Sequence, residues 1–127
     1  MDRVNACFFK FYLPPILYGF LILLISSFPI RTLDLKIGFQ IDKLLHLVEY
    51  CLFSVLVIRA FKNSPSRILR NNRLLLTIIF VSFYGFADEV YQSFVPNRDS
   101  SIFDFLFDSI GAVSGSLFYS VRESHRF

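Results

Sequence analysis

Cysteine is nearly missing from this sequence: Cys7 and Cys51 stand far apart, which excludes a disulfide framework or a CxxC redox or metal pair. No internal repeat of solenoid length and no low-complexity tract interrupts the 127 residues. The first apolar run ends in Ser26-Ser27-Phe28-Pro29-Ile30 and offers no small-x-small cleavage site, so it is expected to be a retained helix and not a signal peptide. Val4-Asn5-Ala6-Cys7 is no lipoprotein box, because it precedes the apolar run instead of following it. Polar residues are also too few for a soluble protein. A domain this small would leave much of its 54% hydrophobic content and 17 Phe in contact with water.

What is present in abundance is apolar runs near the roughly 20 residues needed to cross a bilayer. They cover residues of about 11–30, 43–61, 74–92 and 102–121. The expected fold is therefore all-α, a polytopic membrane protein forming one four-helix transmembrane domain over residues 1–127. The net charge of +3 does not indicate nucleic-acid binding, because the basic residues sit at the helix ends. Arg59, Lys62, Arg67, Arg70 and Arg73 fall between the second and third runs, Arg3 and Lys10 precede the first, and Arg122 and Arg126 follow the fourth. By the positive-inside rule these regions, and hence both termini, are expected to be cytoplasmic.

In chain order, Pro14 and Pro15 are expected in the first turn of helix one, where backbone donors lack partners anyway, and Pro29 is expected to stop it. Leu33, Leu35, Ile37 and Phe39 alternate through residues 31–41 and predict a segment lying in the interface. Helix two then opens with a polar stripe. Asp42, His46 and Glu49 share one face at i, i+4 and i+7, with Lys43, His46 and Tyr50 beside it at i, i+3 and i+7. Residues 63–72 read as a polar inner loop. Helix three is almost bare until Asp88, Glu89 and Gln92, where one of the two acids is expected to face a neighbouring helix. Arg98 follows in a short turn with Pro96 and Asn97. Ser101 and Asp104 fit a capping box at the start of helix four. Asp104, Asp108, Gly111 and Gly115 then share a face, so Asp108 should look inward where Gly111 and Gly115 let another backbone approach.

Counting the helical rise places Glu49, Asp88 and Asp108 at one depth, roughly 6–10 Å below the outer boundary. Of the ten acids, only Asp2 and Glu123 belong to the other side. Asp42 and Asp104 could serve as helix caps; without them four carboxylates face Lys43 and Arg98. In low dielectric such a surplus is relieved by protonation, water or a bound divalent cation, with Asp88, Glu89, Asp108 and His46 as candidate ligands. A purely structural ion-pair network accounts for the same residues.

The chain resembles the VanZ-like family of small bacterial membrane proteins. The resemblance rests on Ser26-Ser27 with Pro29, on Asp42-Lys43-xx-His46-xx-Glu49-Tyr50, on Asp88-Glu89-xx-Gln92-x-Phe94-x-Pro96-x-Arg98, and on Asp104-xxx-Asp108-xx-Gly111. Asp108 departs from the pattern, which more often has Asn there. The resemblance implies a multi-pass protein of the bacterial cytoplasmic (inner) membrane, whose namesake is linked to resistance to the glycopeptide antibiotic teicoplanin. Three functions stay open. The first is an enzyme or binder of a phosphorylated or glycosylated envelope lipid, with Arg98 and Lys43 on an anionic headgroup and His46 with Glu49 as acid and base. Asp88 and Glu89 would then be further catalytic candidates, and Tyr50, Gln92 and Asp104 would help bind substrate. The second is a proton-coupled transporter, which the bare inner halves of the helices disfavour, and the third is a non-enzymatic scaffold.

Overall fold

The computed structural model describes residues 2–28, 36–96, 98 and 100–126, with the backbone alone for 36–40. Every regular element among them is helical: α1 (Arg3–Ser27), α2 (Lys36–Lys62), the one-turn α3 (Arg67–Asn71), α4 (Arg73–Ser93) and α5 (Ile102–Ser124). The four long helices are each long and apolar enough to cross a membrane. Their outward residues are those a lipid-facing surface needs: Phe20, Leu24, Leu45, Phe83 and Phe118 are all largely exposed. In water such a surface would drive association.

Helix starts differ from those the sequence suggests. α1 begins at Arg3, so Pro14 and Pro15 fall inside it, and its backbone widens to a π-helical turn over Phe8–Tyr12 just before them. Widening of this kind re-satisfies backbone groups that a proline ring displaces. α2 begins at Lys36, so Asp42 lies well inside the helix and is not its cap. The helix stop at Pro29, the Leu33–Leu35 part of the interfacial segment and the turn residue Asn97 lie outside the described residues. Within the expected inner loop, α3 forms because the Ser66 hydroxyl accepts from the Leu69 amide and Arg70 donates to the Ser64 and Pro65 carbonyls.

Helices α2 and α4 pack together, and α1 and α5 each contact both; α1 and α5 do not meet among the described residues. The most extensive contact, α2 on α5, depends on two glycines. A Cβ on Gly111 would come 2.5 Å from the Leu47 carbonyl oxygen, and one on Gly115 would collide with the Ser54 hydroxyl and the Cys51 carbonyl. Only hydrogen fits there. The core between α1, α2 and α4 is aromatic, with Phe53 and Tyr84 ring centroids 5.0 Å apart. The Tyr84 hydroxyl donates to the Gly19 carbonyl at 2.6 Å.

Candidate functional site: a buried polar cluster

The bundle has a polar end, where α1 finishes and α2 begins, and an opposite end bearing Lys62, Arg73 and Glu123. At the polar end Lys43, His46 and Tyr50 form the buried face of α2, while Asp42 and Glu49 are only half-buried. The second of the two adjoining stripes thus points inward. α4 contributes buried Asp88, Glu89 and Gln92, and α5 contributes buried Asp104 and Asp108. Asp108 can approach α4 because Gly85 stands opposite: a Cβ there would lie 3.0 Å from the Asp108 Cβ.

Three side-chain contacts join α2 to α4 and α5. Lys43 pairs with Asp104. His46 Nδ1 lies 2.9 Å from Asp108 Oδ1. The Tyr50 hydroxyl donates to Asp88 Oδ2 at 3.2 Å. Gln92 Nε2 lies 3.1 Å from both Asp88 Oδ2 and the Ser26 hydroxyl, which brings α1 into the network. Asp88 and Glu89 are both buried, but in different directions: Asp88 toward α1 and α2, Glu89 toward the start of α5.

The expected capping box is split. Ser101 Oγ does accept from the Phe103 amide at 3.2 Å, but the Asp104 carboxylate is engaged by Lys43 and does not return to Ser101. Glu89 Oε2 accepts from the Ser101 amide instead, at 3.2 Å. A residue of α4 therefore completes the cap of α5, and turns Glu89 toward the cluster as it does so. Likewise the acid that orients His46 is Asp108 and not Glu49. The Glu49 carboxylate makes no hydrogen bond among the described residues. Among the described residues Arg98 makes no ion pair with the carboxylates; its Nη1 donates to the Ile25 and Phe28 carbonyls at 3.0 and 2.9 Å, closing the end of α1. Ser26 is a member that side-chain chemistry alone did not single out, although its place in the Ser26-Ser27-x-Pro29 motif marked it.

Polar satisfaction in the cluster is incomplete. Asp88 Oδ1, Glu89 Oε1 and Asp108 Oδ2 are buried and have no hydrogen-bond partner among the described residues. Candidate ligand atoms of His46, Glu89 and Asp108 lie within 4.8 Å of one another, and those of Asp42, His46 and Asp104 form a second such group. Asp88 belongs to neither. A carboxylate-oriented imidazole beside further carboxylates can transfer a proton or hold a cation. Below the cluster, among the described residues, the buried polar side chains are hydroxyls: Ser54, Ser64, Thr77 and Ser116. An apolar groove of about 410 Å³ opens between α1, α2 and α4, lined by Pro15, Gly19, Leu23, Phe53, Val57 and Tyr84 among others.

No curated protein and no solved structure matches the chain. The VanZ/LLP1 family does, over residues 7–123, a span that contains all four long helices almost whole and every member of the polar cluster. The chain is a multi-pass membrane protein of the VanZ/LLP1 family.

Proposed function

We propose that the protein binds a phosphorylated or glycosylated lipid of the cell envelope at the outer leaflet of the bacterial cytoplasmic membrane, with both termini inside. The observation that carries this reading is the placement of the apolar groove directly beneath the polar cluster. Its upper lining residues Leu23, Phe53 and Tyr84 are each followed, one helical turn nearer the polar end, by Ser26, Tyr50 and Asp88. A lipid tail seated in the groove brings its headgroup to that end. There Arg98, Glu49 and Asp42 are the more accessible members: a guanidinium suited to phosphate and carboxylates suited to sugar hydroxyls. With no cation on its ring, His46 held by Asp108 is the group suited to acid–base work on a headgroup, with Lys43 and Asp104 fixing α2 against α5. Through the family resemblance, the reading extends to glycopeptide susceptibility.

The test is native mass spectrometry of the protein released from native membrane. A lipid phosphate or lipid-linked sugar should be retained by the wild type and lost when Gly19→Leu fills the groove. Equal retention by both would overturn the proposal. Cysteine placed at Ser100 in a Cys7→Ser/Cys51→Ser background should react with an impermeant reagent from outside intact cells; reaction only after lysis would reverse the topology.

A scaffold reading is favoured by one observation: Lys43–Asp104, His46–Asp108 and Tyr50–Asp88 each cross-link two helices. On that reading Glu49→Gln, which breaks no such link, should leave function intact.

A further inference from the structure

The network leaves negative charge over once its pairs are drawn. Lys43 balances Asp104, whereas among the described residues Asp88 meets only the neutral Ser26, Tyr50 and Gln92, and Glu89 accepts only from a backbone amide. Asp108 has His46 on one oxygen and no hydrogen-bond partner on the other. Burying ionised carboxylates without compensation is costly.

We propose that His46, Glu89 and Asp108 form a binding site for a divalent transition cation of the Mn²⁺ or Zn²⁺ type. The three residues come from three different helices, are 5%, 7% and 0% exposed, and present ligand atoms within 4.8 Å of one another. Three ligand atoms about 2.1 Å from one ion stand roughly 3.4–3.6 Å apart, so each side chain need move inward by less than about an ångström to close on it. Glu89 Oε1 and Asp108 Oδ2 are buried acceptors lacking a hydrogen-bond partner among the described residues, the state in which a ligand oxygen stands before a cation arrives. The alternative grouping of Asp42, His46 and Asp104 is the weaker site, because Lys43 already neutralises Asp104 and Asp42 is half-buried. One imidazole with two carboxylates suits a borderline ion better than Ca²⁺ or Mg²⁺, which prefer oxygen alone. A cation here also answers an objection to the lipid reading on which this site builds, since a net negative cluster repels an anionic headgroup and a bound cation attracts one.

The probe is Mn²⁺ alone, titrated into the chelator-treated full chain in detergent and followed by electron paramagnetic resonance. One Mn²⁺ per chain should bind, with nitrogen modulation from a coordinated imidazole. Only two histidines are present, so the modulation should vanish in His46→Gln and persist in His125→Gln. Glu89→Gln and Asp108→Asn should each weaken binding at least about 10-fold, and Glu123→Gln at the far end should leave it unchanged. If a variant fails to fold, nitrogen-modulated stoichiometric binding by the wild type still supports the site. Absence of stoichiometric Mn²⁺, or modulation that survives His46→Gln, would overturn it. Lipid phosphate retained by a chain that binds no Mn²⁺ would sink the cation and keep the lipid reading; Mn²⁺ bound by a chain that retains no lipid would do the reverse.

Discussion

The two ends of the bundle use charge in opposite ways. At one end Glu123 bridges Lys62 at 2.6 Å and Arg73 at 3.5 Å, with both cations over a third exposed. At the other end Lys43, His46, Asp88, Glu89, Asp104 and Asp108 are all under a tenth exposed. Both sets tie α2, α4 and α5 together. The exposed set gives up little hydration and contributes correspondingly little, whereas the buried set has lost its water and depends on its partners. A fold that needed only to hold its helices together could have used the inexpensive arrangement twice. The buried set is the one on which the lipid-binding proposal rests.

That contrast can be broken by mutation. Lys43→Met leaves Asp104 buried without its cation and should destabilise the protein by roughly 3–5 kcal/mol. Adding Asp104→Leu should restore most of the loss. The measurement is far-UV circular dichroism of unfolding in mixed micelles at increasing denaturing detergent, and a double variant no better than the single would show that the pair is not an independent unit. Gly115→Ala tests whether the cluster depends on the close approach of α5 to α2. Its methyl meets backbone and hydroxyl atoms that cannot easily withdraw, so a loss of about 1–3 kcal/mol is expected in the same assay. Glu123→Gln should cost about 0–1 kcal/mol, with the difference shrinking as salt is raised. A larger, salt-independent effect would erase the distinction between the two ends.

The sequence made the level of the polar residues legible but not their partners. Helical rise alone put Glu49, Asp88 and Asp108 at one depth, and the shared face of Asp108, Gly111 and Gly115 correctly turned Asp108 inward. Partner choice depends on how each helix is rotated about its axis, and a few tens of degrees decide it. Hence Asp108, not Glu49, reached His46, and Asp104 joined Lys43 while Glu89 took over its capping bond. The early start of α1 was hidden by its prolines, whose usual place in a first turn holds only until a π-helical turn accommodates them. The start of α2 at Lys36 was hidden by alternating apolar residues that read as an interfacial segment.

Arg98 bonds the Ile25 and Phe28 carbonyls, and Gln92 holds the Ser26 hydroxyl. Helix α1 is thus secured by residues synthesised more than sixty positions after it. During translation α1 must wait in the bilayer with its polar end unfastened until α4 and the turn after it emerge from the ribosome. A chain arrested before Gln92 would hold α1 against α2 through the Tyr18 hydroxyl on the Glu49 carbonyl, while its polar end lacked both later fastenings.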